Sequence, residues 1–361
     1  MIAALALALS CAASSLATAE EPDFGPPVPG TRSLYLLDVP FLHFGPQDTR
    51  APRPHAVAFD FDVAYGNTFS HTWHPEAIHA EFQRNGLALS REEAQTLHER
   101  HPEDVIAFID GEVTRVALRG MYGFSERFSA ALEIPWVSFS ALNLDSGIES
   151  FHRAFGLPDG QRPYFPRGQF AIVRQRAFGR LEFEDRRPAA GLGDMTASLR
   201  YRDRVGAFFV SADLVVKLPT GDADEYRGSG SADGGLLVGA LYRFGATGAW
   251  GLRAEGGVVV PGGFRGATPT TFDVTAFLRF LVAADVRLGR RTFVAVTAAA
   301  EQSPFRHDAL GDGADTAVEV TVGLSYRFSG RVLASLALTE NLPRFGDAAD
   351  LSATLSVRFA P

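Results

Sequence analysis

From about residue 55 to the end of the chain, apolar and polar residues alternate one by one in segments of roughly ten, the period of a two-faced β-strand and not the 3.6 of a helix. The last segment, LSATLSVRF, puts Leu351, Ala353, Leu355, Val357 and Phe359 on one face and Ser352, Thr354, Ser356 and Arg358 on the other. Around Val318 the same alternation sets Val320, Val322, Leu324, Tyr326 and Phe328 against Glu319, Thr321, Gly323, Ser325 and Arg327. Further segments run through Leu132 and Trp136, Leu199 and Tyr201, Leu214 and Val216, Leu236 and Tyr242, and Leu252 and Val258. Each is long enough to cross a bilayer as a tilted strand of about 9–11 residues.

A soluble antiparallel sandwich also alternates, so the choice of architecture rests on strand ends and connections. Aromatic residues cluster at the ends of the apolar rows, among them Tyr122, Phe128, Trp136, Tyr201, Tyr242, Phe244, Trp250, Tyr326, Phe328 and Phe359. Amphipathic rings at both ends of an apolar row are what two lipid–water interfaces select. Connections alternate between tight ones, such as 123–127, 203–206, 245–249, 288–291 and 329–331, and long ones at 137–168, 219–232, 261–271, 303–316 and 342–350. That asymmetry predicts an all-β fold: a transmembrane, antiparallel, up-and-down β-barrel of about 12 to 14 strands over residues 55–361. Fourteen strands need 169–192 to form a hairpin in the wall, near Phe170–Arg176 and Arg180–Glu184. Twelve result if that hairpin stays above the membrane.

Before the barrel, residues 1–19 (MIAALALALSCAASSLATA) are uncharged, apolar from Ile2 to Leu9, and end Ala17-Thr18-Ala19, the pattern of a cleaved export signal. Ser10-Cys11 offers the alternative of lipidation at Cys11. Residues 20–54 are proline-rich and either run through the periplasm or plug the lumen. Within the first long connection, residues 76–104 read as a helical insert, with Ser90 and Glu93 spaced as a capping box. It serves as a lid or as a surface decoration.

The charge balance narrows the partners. With 34 basic and 42 acidic residues the chain carries a formal −8, which argues against a general nucleic-acid binder. Cys11 is the only cysteine, so the barrel region holds no disulfide or thiolate site. The polar faces of the strands are rich in charge, including Arg115, Arg119, Glu133, Arg200, Asp213, Lys217, Arg253 and Glu255. Charges at membrane depth must face water or one another, so these residues predict a polar lumen. That lumen is either a passive pore or binding barrel, whose arginines hold a small anionic solute, or a salt-bridged core with no open path.

Several short motifs occur together: Asp110-Gly111-Glu112, Tyr122-Gly123, Glu133-Ile134-Pro135, GIESFHRAFGLP from Gly147 to Pro158, Gly191-Leu192-Gly193-Asp194, and Leu218-Pro219-Thr220-Gly221-Asp222. Over roughly residues 33–359 this combination resembles the exported-protein family known as domain-of-unknown-function family 3187. The resemblance implies an outer-membrane barrel of a Gram-negative bacterium with no assigned reaction. It departs from the family in the 76–104 insert and in Ala360-Pro361, which follow the closing aromatic Phe359. The partners implied are outer-membrane lipids, lipopolysaccharide included, and the barrel-assembly machinery that receives a strand ending at Phe359.

Candidate chemistry outside the lumen lies in the loop motif Glu149, Phe151, His152 and Phe155. Ser150 and His152 are weak candidates for a rim enzyme acting on lipids, a hydrolase or acyltransferase with a Ser/His/acid set. Two residues apart they seldom meet productively, and no G-x-S-x-G elbow is present. His71, His74, His79, His98 and His101 match no zinc spacing, and Asp222, Asp224, Glu225 and Asp233 lack the calcium-loop order. No metal and no cofactor is expected.

Overall fold

The computed structural model describes residues 32–46, 53–71, 90–103, 106–139, 145–156, 165, 167–175, 179–244, 249–267, 273–305, 316–342 and 349–360. The export signal with Cys11, His74 and His79 lie outside these residues, as does the insert before residue 90. In chain order the described strands are β1 (Val57–His71), β2 (Ile106–Gly123), β3 (Phe128–Ser138), β4 (Ala171–Gln175), β5 (Leu181–Glu184), β6 (Gly191–Leu192), β7 (Thr196–Val205) and β8 (Phe208–Lys217). They continue as β9 (Asp233–Phe244), β10 (Trp250–Val260), β11 (Phe277–Leu288), β12 (Thr292–Glu301), β13 (Ala317–Arg327), β14 (Val332–Asn341) and β15 (Leu351–Phe359). Two helices accompany them, α1 (Arg91–Arg100) and α2 (Asp145–Phe155).

Twelve of these strands close a ring. β1, β2, β3 and β7 to β15 pair with their neighbours in sequence, and β15 returns to β1, from Phe59↔Phe359 to Asn67↔Leu351. Every ladder is antiparallel, and closure satisfies the backbone without leaving an edge in lipid. The hairpin expected at 169–192 does form, as β4 and β5. It pairs with the long-loop extension of β2, from Ile106↔Gln175 to Asp110↔Ala171, so it stands above the wall and the barrel has twelve strands.

The short strand β6 is continuous with β7 through a bulge. On β3, Trp136 pairs with Leu192 and Glu133 with Thr196, so three steps on one strand oppose four on the other. The extra residue falls in the Gly-Leu-Gly-Asp motif, where a bulge can re-aim a side chain.

Outward positions are apolar and exposed, for example Leu132, Leu199, Leu214, Val238, Leu252, Val282, Val322 and Leu355. Exposed apolar rows on every wall strand form the belt that a bilayer covers. The aromatic girdle is dense at the short-turn end, where Phe128 meets Tyr201, Phe208 meets Tyr242, and Phe244 stacks on Trp250. Trp136 marks the opposite end of β3. Among the described residues no helix is long and apolar enough to cross a membrane.

Of the two courses open to the proline-rich segment, residues 32–46 take the one through the lumen. Leu34, Tyr35, Leu36, Leu37, Phe41, Leu42 and Phe44 are all buried. The Leu36 N–H donates to Thr68 Oγ1 of β1 at 3.0 Å, and the Leu42 N–H donates to Asp233 Oδ2 of β9 at 2.8 Å, so the segment bridges opposite walls. We call it the plug.

α1 begins at the capping box foreseen from Ser90 and Glu93: Ser90 Oγ accepts from the Glu93 N–H, and Glu93 Oε2 from the Ser90 N–H. Its Ala94 and Leu97 pack with Phe69, Phe108, Phe165 and Phe183, beside the β4–β5 hairpin.

Candidate functional site

The lumen is divided by the plug. Arg32 and Pro46, the two ends of its described course, line a cavity of about 160 Å³ together with Asp60, Arg119 and Arg358 from the short-turn ends of β1, β2 and β15. The plug's turn, in which the Asp38 N–H bonds Tyr35 O and the Phe41 N–H bonds Asp38 O, lies towards the long loops. There Leu34, Leu36, Leu37 and Phe41 form one apolar cluster with Ile109 of the β2 extension, Val137 of the wall, Phe170, Tyr226 and Phe305 from the long connections, and Ala349. Phe44 and Leu42 make a second cluster with Val215, Leu237, Val259 and Phe277. The long-loop half of the lumen is therefore a hydrophobic core, whereas the short-turn half is a cavity with charged walls, bordered by Leu42, Phe44, Val215 and Leu237 of the second cluster.

Inward glycines make room for the plug. A Cβ on Gly66 would fall 2.5 Å from Leu34 Cβ, and one on Gly235 2.5 Å from Phe44 Cζ. Gly111, inside the Asp-Gly-Glu motif, faces Leu36 in the same way at 3.0 Å.

The charged residues expected in the lumen are there, and the wall register pairs them. Glu133 stands directly opposite Arg119 and accepts from both Arg119 and Arg115. Arg200 faces Asp213 at 3.2 Å, and Arg202 shares the same carboxylate. Arg253 bonds Glu255 at 3.1 Å, Arg279 bonds Glu301 at 3.1 Å, and Arg358 bonds Asp60 opposite it. Gly251 lies between Arg243 and Asp285, and because it has no side chain the two ion-pair across β10 at 2.6 Å. Of these residues, Arg115, Arg119, Glu133, Arg200 and Asp213 line the cavity, with Arg32, Arg358, Asp60 and Asp62. Five guanidinium groups thus face four carboxylates around it.

Lys217 has a different setting. Its ammonium, 1% exposed, donates to Asp194 Oδ2 at 2.5 Å, to Ser229 Oγ at 2.7 Å and to the Ser231 carbonyl at 3.0 Å, with Asp233 3.4 Å away. Asp194, turned inward at the bulge, also accepts from the Gly221 and Ser229 N–H groups. Thr220 Oγ1 accepts from the Met195 N–H. The Gly-Leu-Gly-Asp and Leu-Pro-Thr-Gly-Asp motifs are thus two halves of one knot that folds residues 218–232 over the mouth, and the only lysine lies at its centre. Farther out, burial favours the neutral form of the Glu225 carboxyl, but the Ala189 N–H and the Arg186 guanidinium outweigh it and hold the group below the usual carboxylate range.

The loop motif is a helix that the alternation analysis did not anticipate. In α2, Asp145, Ile148, Glu149 and His152 share one buried face, the i, i+3, i+4, i+7 spacing that could have revealed it. Asp145 accepts from Asn67 Nδ2 of β1 and from the Gly168 N–H, Glu149 pairs with Arg167, and His152 Nε2 lies 3.1 Å from Glu340 Oε1 of β14. α2 therefore lies across the mouth. Ser150 Oγ is on the exposed side, where it donates to the Ser146 carbonyl, while His152 is buried. The pair is not brought together as a nucleophile and base. Phe151 is half-buried beside His152.

Asp222, Asp224, Glu225 and Asp233 also diverge, to Arg227, the Ala267 N–H, Arg186 and Lys217 respectively. One buried group that the sequence reading missed does converge: Asp38 and His43 of the plug with Glu301 of β12. Its members lie far apart in the chain, and nothing in their spacing signals the contact. Burial, aided by the nearby Glu301 charge, pushes the Asp38 carboxyl up to about 6, although His43 and the Ser33 hydroxyl oppose the shift.

Comparison with known proteins adds a family. The model of the family described as "Protein of unknown function (DUF3187)" matches residues 94–360. No curated protein matches the chain. Among solved structures, the COG4313 outer membrane channel from Pseudomonas putida F1 is similar, with a TM-score of 0.49 and 14% identity over 88% of this chain and 99% of that one. The KdgM porin aligns at a TM-score of 0.39 and 6% identity, over 84% of this chain and 99% of its own. The toluene transporter TbuX from Ralstonia pickettii aligns at 0.39 and 11% identity, over 85% and 90%.

Proposed function

Since this chain belongs to the protein family of unknown function DUF3187, whose description assigns no activity, we propose its function from the lumen: a channel of the Gram-negative outer membrane that its own plug holds shut. The observation that carries this reading is the split lumen. An apolar plug turn seals the long-loop half, and a charged cavity of about 160 Å³ stays open beneath it. A barrel with only a structural role has no need of such a cavity, and an unregulated pore has no need of a fitted plug. The five cavity arginines suit a small solute bearing a carboxylate or similar anion, which binds by exchanging with wall carboxylates such as Glu133 and Asp213. Passage requires the plug to leave. The exposed apolar belt supports a lipid partner, with lipopolysaccharide around the long-loop end, and the strand ending at Phe359 is the segment offered to the barrel-assembly machinery.

Planar-bilayer recording tests the proposal. The full chain is expected to be closed with rare stepwise openings, and a chain lacking residues 32–46 to conduct persistently. If the shortened chain keeps the heat-dependent gel shift of a closed barrel and still carries no current, the channel reading fails.

A further inference from the structure

We propose that the junction of plug and wall is a divalent-cation site, with His43 and Asp38 as ligands and Glu301 as the support behind the histidine. The inference rests on the plugged-channel reading for its consequence, that the ion holds the plug closed, but not for its chemistry.

His43 is fully buried against the Phe277 ring, 5.0 Å away. Its Nδ1 lies 2.7 Å from Glu301 Oε1, a charge-assisted hydrogen bond that puts the proton on Nδ1. In the neutral imidazole so protonated Nε2 carries the lone pair, and among the described residues it has no hydrogen-bond partner. It faces Asp38 Oδ1 at 3.7 Å. An imidazolium N–H attracted by a carboxylate closes to about 2.7–2.9 Å, so this gap is too long for an ion pair in contact. It is the right gap for two atoms sharing one ion: at about 2.0–2.2 Å from a zinc-like cation each, a nitrogen and an oxygen stand roughly 3–4 Å apart.

The surroundings agree. Carboxylate, histidine and metal in line is the usual arrangement by which a second carboxylate fixes the tautomer of a ligating imidazole. Glu301 is held in turn by Arg279 at 3.1 Å, and the other oxygen of Asp38 accepts from the Ser33 hydroxyl at 2.7 Å, which leaves Oδ1 directed at Nε2. The ligand atoms of Asp38, His43 and Glu301 lie within 4.8 Å of one another, and all three residues are buried. Arg32 is committed to the carbonyls of Val39 and Phe41, so among the described residues no guanidinium is bonded to Asp38. A divalent ion would offset the carboxylate charge of the group, close the plug's turn between residues 38 and 43, and tie it through Glu301 to β12. Two protein ligands leave positions for water, so the site is weaker than a four-ligand structural zinc site.

The test uses the refolded full chain in detergent, stripped with a chelator and titrated with Zn²⁺ by calorimetry and with Co²⁺ by visible absorption. One equivalent is expected to bind with tetrahedral-type Co²⁺ bands. His43→Gln should weaken binding at least about 100-fold and Glu301→Gln about 10- to 100-fold. Should His43→Gln fail to fold by the heat-shift criterion, Asp38→Asn gives the same decision. The proposal is overturned if no single equivalent binds, or if the folded variant binds as the parent does, which would assign the metal to the loop histidines. Binding that depends on His43 in a barrel that never conducts would keep this site and discard the channel.

Discussion

If the plug is a seated gate, one methyl group in the wall should unseat it. Gly66 lies inside β1, paired with Val113 and Ser352, and an alanine there suits a strand better than glycine by about 0.5–1 kcal/mol. The new Cβ, however, would lie 2.5 Å from Leu34 Cβ and 3.3 Å from the Leu34 carbonyl oxygen. Those atoms are next to the plug backbone and cannot swing aside as a side-chain tip can. Overpacking of this kind costs about 1–3 kcal/mol, which lowers the docked-to-undocked ratio by roughly 5- to 150-fold. Gly66→Ala should therefore raise the open time in bilayers and the hydrogen exchange of the 32–46 amides by that factor, without changing the heat shift of the barrel. Gly235→Ala meets the ends of two side chains, the Phe44 ring at 2.5 Å and Leu42 Cδ2 at 3.1 Å, and should have the smaller effect. Gly120→Ala faces lipid, with Phe59 at 3.8 Å, and should have none. If Gly66→Ala leaves both conductance and exchange at parental values, the plug is a fixed part of the core and the gating argument is refuted.

Other expectations concern the knot and its loop. Lys217→Met would leave Asp194 and Asp233 buried beside an uncharged chain, a change that costs about 3–5 kcal/mol; limited proteolysis should then cut within 218–232 before the barrel unfolds. A folded Lys217→Met variant with an uncut loop would show that the backbone bonds to Asp194 suffice. Glu225 has its carboxyl held low in the folded state, so its contribution is complete above the ordinary value of 4.5 and is lost as pH falls through the lowered one. Acidification should accordingly lower the protection factors at Ala189 and across 222–227, with the intrinsic pH dependence of amide exchange divided out, and Glu225→Gln should make those protection factors insensitive to pH.

The wall could be foreseen because lipid imposes a two-residue period: Leu132 and Ile134 turn outward while Glu133 turns in to meet Arg119 and Arg115. Charge pairing was left open by the sequence because it depends on register, which alternation alone does not set. Shifting β2 against β3 by two residues would keep every side chain on its face and still separate Arg119 from Glu133. The strand count turned on a similar point. β4 and β5 were expected, but only their pairing with the β2 extension above the wall decides between twelve strands and fourteen. α2 was missed because a period-two scan passes over the spacing of Asp145, Ile148, Glu149 and His152.

The plug left the faintest trace, because RSLYLLDVPFLHFGP has no period and its partners are spread over β1, β2, β9, β10 and β12. Yet the trace is there in the wall. Glycine weakens a strand interior and is kept where another backbone approaches closely, and the inward positions Gly66, Gly111, Gly235 and Gly257 each face a plug side chain. An empty pore would have no use for such hollows at those heights. They argue that the wall was shaped around an occupant, and the cavity directly beneath it argues that the occupant closes a path.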